Sequence, residues 1–479
     1  MMMSIVEQGQ ISFKTLEQKI FAYVCELGRE ITRTMLEGYD AELAAGRDRS
    51  RYRDKGKRAT TIKTVYGEVS YSRRVYQTRL EDGQKAYVYL LDDAMHMDKI
   101  GLVSTNLAEK IVMAVTGASY RASAEAVSST CGQSISHGGA WDLIQKLGER
   151  IGDEEDQAVR QMQAGRAGGE KAIPVLFEEM DGVWLHMQGK GHKKAKEQEM
   201  KVFTMYEGWD AQSPGASRLV GKRMLAGMEG SEKFHQKREA LIEKVYAVDE
   251  IGQRVLNGDG GSWIREVYDP EAIFQLDRYH IYQEILRKIR DKEAQQGIRE
   301  LFDRKDMDGM LEYIQYYADS VASDDEKDRR EKNALELYGY LSNNRGGLMP
   351  WKERGIEIPE APEGIVYKGM GVQEGQNCSV ITLRMKHRRM RWSADGADHM
   401  AKVLYRKADK DLIGTIERYT DGLIPEMAIT EAIETLSAAK APKRDGKGSP
   451  YADRMSGHMP LLDAVQTASR KVFRAAFCH

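Results

Sequence analysis

Three acidic residues sit where chemistry could be done: Asp181 in FEEMDGVWL, Asp259 in VLNGDGGSW and Glu374 in GVQEGQNCS. Each of the first two lies where an apolar run meets a glycine, so each carboxylate is expected to project from a strand end, and Glu374 could join them. Converging carboxylates are how proteins hold hard divalent cations. A pair of Mg2+ ions about 4 Å apart, with Mn2+ as a substitute, activates an oxygen nucleophile and stabilises the leaving oxygen of a phosphodiester. In that arrangement Asp181 would bridge both ions, with Asp259 and Glu374 each completing one side. The chain has 74 acidic residues, so spacing alone decides nothing and local context must. Asp181-Gly182 reads equally well as a hairpin turn, and Asn257-Gly258 and Asp259-Gly260 are common turn dipeptides. A second constellation, Asp277-Arg278-Tyr279-His280, offers a histidine that could donate to a phosphate or organise a metal-binding acid; a histidine at a helix start is more often satisfied locally. There is no G-x-S-x-G elbow and no G-x-x-x-x-G-K-[ST] phosphate loop.

A chain of 479 residues exceeds one ordinary hydrophobic core, so several units are expected to carry these side chains. Net charge is −2 and the isoelectric point about 6.6, so affinity for nucleic acid must come from segregated basic patches. Cys25, Cys131, Cys378 and Cys478 form no C-x-x-C pair and read as free buried thiols of a reducing cytoplasm. No basic-then-apolar leader and no run of eighteen apolar residues occurs, so the reading is neither exported nor membrane-spanning.

The elements follow from periodicity. Residues 13 to 45 carry a helical stripe through Leu16, Ile20, Phe21, Val24 and Leu27. GRDRSRYRDKGKR reads as a basic, solvated loop, and TTIKTVYGEVSYSRRVYQ as a β-hairpin that adds Arg73 and Arg74. Three helical segments between about 100 and 150, the second carrying Arg121, suit a helix-turn-helix or a small bundle, with Ser134 or Ser136 as a cap. After a glycine-containing linker come strands at 172–177, GVWLHM and MKVFTMY, the helix KFHQKREALIEKV, and the strands QRVLNG and AIFQLD, which together indicate a mixed α/β sheet. From 283 to 345 the pattern is helical only. Beyond it, Arg384, Lys386, His387, Arg388, Arg389 and Arg391 lie in eight positions, followed by the amphipathic GADHMAKVLYRKA and a basic tail. Trp184, Trp263 and Trp392 read as core residues before they read as base-stacking platforms.

Taken in order, EEMDGVW, NGDGGSWI, FQLDRYH, a helical block and EGQNCSVITLRMKHRRMRWSADGADHMAKVL resemble the bacterial ISLre-type insertion-sequence transposases, relatives of the Mutator-like DDE superfamily. The resemblance runs from about residue 50 to about 405. It implies an α/β, ribonuclease-H-like mixed-sheet catalytic core interrupted by an all-helical insertion and preceded by a β-hairpin and helical DNA-binding region. The first two acids then sit on neighbouring strands and the third on a helix after the insertion. By that matching Asp181, Asp259 and Glu374 are the catalytic and metal-binding triad, Asp277 and His280 are accessory, and Arg73, Arg74, Arg121, Arg384, Lys386, Arg388, Arg389 and Arg391 contact DNA. The implied organisation is an N-terminal helix (1–46), a basic hairpin region (47–95), a helix-turn-helix-like region (96–160), the first part of the core (170–282), the insertion (283–345), the last part of the core (346–407) and a basic C-terminal helix and tail (408–479). The implied activity is Mg2+-dependent cleavage and strand transfer on element ends and target DNA, by a dimer or higher oligomer associated with the nucleoid. A nuclease of the same fold, and a DNA-binding protein without catalysis, are the competing expectations.

Overall fold

The computed structural model describes residues 11–97, 100–189, 196–265, 271–323, 328–387 and 390–422. The chain divides into two compact units, residues 1–147 with 413–479, and residues 148–412. Among the described residues, no helix is long and apolar enough to cross a membrane.

In the first unit the expected N-terminal helix spans Phe13–Gly46, started by Ser12, whose Oγ accepts from the Thr15 amide at 3.2 Å. Its second half packs Leu36 against Ile62, Val69 and Tyr71 of a three-stranded antiparallel sheet, ordered β1 (Arg53–Thr64), β2 (Gly67–Arg79), β3 (Lys85–Val88). The hairpin turns at 65–66 as expected, but β1 reaches back to Arg53, so the second half of the basic stretch expected as a loop is strand. Helices Thr105–Gly117 and Tyr120–Thr130 follow, capped by Ser104 and Ser119. Ser136 Oγ accepts from the Gly139 amide at 3.0 Å at the start of the His137–Gln163 helix, which continues three residues past the boundary expected at 160 and crosses the division between the units.

The second unit is built on β4 (Lys171–His186), β5 (Glu197–Tyr206) and β8 (Arg223–Gly227), an antiparallel meander, extended by β9 (Tyr246–Gly258) and β10 (Ile273–Leu276), both running parallel to β4. The sheet order is β10-β9-β4-β5-β8. Three short strands, β6 (Gly208–Asp210), β7 (Leu219–Val220) and β11 (Ile365–Val366), form a separate small sheet. The Ser231–Val245 helix makes the crossover from β8 to β9, as a parallel partner requires. The all-helical stretch is present as Arg278–Lys288, Lys292–Asp303, Met307–Ser320 and Arg330–Asn343, which bury Ile281, Ile285, Ile298, Phe302, Ile314, Leu337 and Leu341 in one core that also takes in Leu276 of β10.

Two strand readings need correction. Residues 172–177 and GVWLHM are one sixteen-residue strand, and Asp181-Gly182 is not a turn: Asp181 pairs with Val202 and Gly182 with Lys201. A Cβ at position 182 would meet the Glu199 carboxylate, which would have to move aside. β8 escaped the reading altogether; its Met224-Leu225-Ala226 is a short continuous apolar run with no period-two alternation to mark it.

Candidate metal centre

Register brings the acids together. Across the parallel strands, Met180 is level with Gly258, and Gly258 with Leu276, so the next residue on each, Asp181, Asp259 and Asp277, forms one row. Asp181 is therefore mid-strand rather than at a strand end, but it stands at the point where its β9 partner stops and only β5 continues beside it. There the backbone on one flank turns away: Gly260 takes φ +81°, and Asp259 Oδ1 accepts from the Gly261 amide at 2.8 Å.

Asp277 caps the Arg278–Lys288 helix, its Oδ1 accepting from the Tyr279 amide at 2.8 Å while Oδ2 accepts from Asn257 Nδ2 at 3.0 Å. It is thereby spent on holding the helix start, which sets His280 in the first turn with Nε2 3.5 Å from Asp181 Oδ1. The helix that carries Glu374 starts at Gln373–Gln376, widens into a π-helical turn over Asn377–Thr382 and closes with Leu383–Met385. Its start is tethered to β4 by Glu179, a fully buried carboxylate that accepts from the Gly371, Val372 and Gln373 amides at 3.1–3.2 Å, from Tyr206 Oη at 2.6 Å and from Asn257 Nδ2 at 3.1 Å. One turn on, Asn377 Nδ2 donates to Asp181 Oδ2 at 2.6 Å. Two anchors on one strand, Glu179 and Asp181, thus dock the helix and aim Glu374 at the acid row.

Asp181, His280 and Glu374 each place one donor atom within 4.8 Å of the others. Asp259 is outside that cluster but close enough to feel it: burial raises its carboxyl, the charges of Asp181 and Asp277 add to the rise, and the Gly261 amide and His280 oppose it. Glu374 is raised by burial and then by Asp181, with His280 and Lys386 pulling the other way. Burial works to lower His280, yet its bond to Asp181 and the charges of Asp181, Asp277 and Asp259 outweigh that and push it up to about 9. Among the described residues, no Lys or Arg forms an ion pair with Asp181, Asp259 or Glu374. Oxygen-rich, half-buried and short of internal cations, the donor set suits a hard divalent ion, with one imidazole that must shed its proton to bind.

The basic residues expected on DNA divide differently. Arg73 is buried against Asp92 at 2.6 Å and stacks on the Tyr89 ring, and Arg74 is held by Asp40 at 2.6 Å, so both serve the interior of the first unit. Arg384 is buried, its guanidinium 5.4 Å from the centre of the Trp392 ring. Arg121, Lys386 and Arg391 are exposed; Arg388 and Arg389 lie outside the described residues. Trp392 is a core residue as expected, but Trp184 is half exposed, and Cys378 is an exposed thiol beside Asn377 rather than a buried one. Glu179 and Asn377 were missed in the sequence. Both lie inside the segments that carry Asp181 and Glu374, and the only cue to the first was two adjacent acids in an otherwise apolar strand.

Comparison with known proteins places these features in a family. A Streptococcus gallolyticus protein named as a UPF0236 protein in the vanSb 3′ region is 24% identical over 405 residues, covering 81% of each chain. A Caldanaerobacter subterraneus subsp. tengcongensis UPF0236 protein, whose name joins eleven locus designations, is 24% identical over 425 residues, or 86% of this chain and 82% of that protein. Among solved structures, a chain of the Drosophila P element transposase strand transfer complex matches over 77% of this chain and 92% of its own length, with 10% identity and a TM-score of 0.21. The model of the uncharacterised protein family UPF0236 matches residues 6–419, and this chain belongs to that family.

Proposed function

We propose that this chain is a DNA transposase of the DDE class, with a ribonuclease-H-like sheet at its catalytic core. The observation that carries the reading is the meeting of Asp181, His280 and Glu374 beside Asp259, where among the described residues no Lys or Arg forms an ion pair with the three acids. Two further features support it. The first two acids stand on neighbouring strands and the third on a helix after an all-helical block, the order implied by the resemblance. A relative that carries eleven locus designations under one name suits a sequence that copies itself within a genome.

Asp181, Glu374 and Asp259 would hold two Mg2+ ions, which when bound supply an activated oxygen nucleophile and charge stabilisation at the leaving oxygen. The residues of the chain do the positioning. Asn377 fixes one oxygen of Asp181 and leaves Oδ1 turned toward His280. His280 keeps a proton at Nε2 facing Asp181 until a cation takes that place, which offsets one of the carboxylate charges and leaves the site net negative before loading. Asp277 and Glu179, each consumed by helix amides, keep the two helices that deliver His280 and Glu374 from drifting.

The test is incubation of the full chain with labelled terminal-repeat DNA and Mg2+, with Asp181→Asn as the control. Cleavage with joining of the freed 3′ end to target DNA is the expected result. Cutting without joining would instead mark a nuclease, and retention without cutting a DNA-binding protein.

A further inference from the structure

We propose that the outer edge of β1, from Arg49 to Arg58, is the surface of the first unit that grips the phosphate backbone of duplex DNA; this rests on the reading above only in its choice of polyanion. Arg49, Arg51, Arg53, Lys55, Lys57 and Arg58 place six positive charges in ten positions, against Asp54 alone. All but the half-buried Lys55 are exposed. None of the six forms a salt bridge among the described residues, in contrast to Arg73 and Arg74 on the neighbouring strand, which are spent on Asp92 and Asp40. Between residues 49 and 74, the charges left to face outward are therefore those of β1 and the turn before it.

The backbone agrees. β1 is an edge strand, paired with β2 alone along its basic half, so its outer N–H groups are also turned to solvent. The pairing slips between Asp54 and Lys57, a bulge that sharpens the local twist and swings the basic side chains along a curve. One or two lysines are enough to keep an edge from pairing with another sheet. Six charges of one sign exceed that need, and an extended basic ribbon with free amides matches the spacing of phosphates along a groove. The lone half-buried aromatic in the run, Tyr52, packs edge-on to Tyr76, with Arg51 over its ring, which anchors the turn rather than offering a base-stacking platform. Backbone recognition without base readout follows.

The experiment measures affinity of the full chain for a duplex of arbitrary sequence across a salt series, comparing wild type with a variant in which Arg49, Arg51, Arg53, Lys55 and Lys57 are all changed to Gln. Each phosphate contact contributes a slope of about −0.9 in log affinity against log salt, so the quintuple variant should be shallower by about 4.5, and at low salt at least tenfold weaker. Arg53→Gln with Lys57→Gln should be shallower by about two and guards against misfolding of the larger variant. Lys292→Gln with Lys332→Gln, exposed lysines of the helical block in the other unit, should leave most of the slope in place. An unchanged slope in the quintuple variant overturns the proposal. So does a loss confined to phosphatidylserine vesicles, or a wild-type preference for RNA duplex over DNA. Steep, β1-dependent binding by a chain that neither cuts nor joins would sustain this proposal and sink the transposase reading; cutting and joining with an unaltered slope would do the reverse.

Discussion

The two faces of β4 treat their acids in opposite ways. Glu178 and Glu179 are adjacent, both buried, and differ only in the side of the sheet to which a strand's alternation sends them. Glu178 meets Arg254 at 2.6 and 3.0 Å; Arg254 in turn holds Glu239, which Arg238 reaches at 2.8 Å, a group of two arginines and two glutamates that balances to zero. Burial works to raise Glu178, but Arg254 and Arg238 outweigh it and hold the carboxyl below its ordinary range. On the other face, burial raises Glu179 and only neutral donors oppose it, while Asp259 and Glu374 are raised further by neighbouring acids. A buried acid given its own cation is part of the scaffold. Asp181, Asp259 and Glu374 have, among the described residues, no Lys or Arg paired with them and only His280 close by, so they are the acids that the proposed reading assigns to a cation from outside.

The largest expected effect tests the balanced face. Arg254→Met leaves Glu178 and Glu239 short of a partner, and removing one member of a buried ion group costs about 3–5 kcal/mol; urea unfolding should show that loss, and a neutral result would mean the face is not balanced as described. Next comes the acid row. At a hundredfold excess over its dissociation constant, Mg2+ or Mn2+ should stabilise the wild type by about 2.7 kcal/mol, read as a rise in melting temperature, while Asp181→Asn should gain nothing and, without metal, melt no lower than wild type. An Asp181→Asn protein that still responds to Mg2+ erases the distinction between the faces.

A smaller effect separates docking from ligation. Glu179→Gln turns an amide toward backbone N–H donors and should cost about 1–3 kcal/mol, with a weaker metal response that persists, since Asp181 and Glu374 remain. A separate effect, unconnected with the metal, is a pH slope at Asp409, whose neighbours Lys222, Arg223 and Arg406 do not offset its burial, so that its carboxyl is pushed up to about 7. A folded value above the unfolded 3.8 means that the stability this group permits at low pH is lost as pH rises through 7. Asp409→Asn should match wild type near pH 4 and exceed it at pH 8, where the thermal midpoints are compared.

Much of the fold was legible because its helices and longer strands are amphipathic or uniformly apolar. The 13–45 helix, the hairpin around Gly67 and the helical block each follow from local periodicity, but the apolar stripe read on the helix does not mark its packed face: Ile20, Phe21 and Val24 are exposed, and the helix buries Cys25, Leu36 and Ala44 instead. What misled was chemistry that looks alike locally. Asp181-Gly182 has the composition of a turn, yet it is extended because β5 pairs with both residues and Glu199 fills the space beside the glycine. Arg73 and Arg74 have the look of a DNA-binding pair, yet Asp92 and Asp40, from a following segment and a preceding helix, claim them.

The sequence by itself determined which acids were worth watching, where the helical block interrupts the strands, and that any grip on DNA must be a local patch, because residue type and periodicity are properties of the chain. Only the tertiary structure decided that Asp181, His280 and Glu374 meet, that Asp277 and Glu179 are spent on helix starts, and which arginines face outward. Those outcomes depend on strand register and on charges brought together from distant segments, and neither is written in any short stretch of residues.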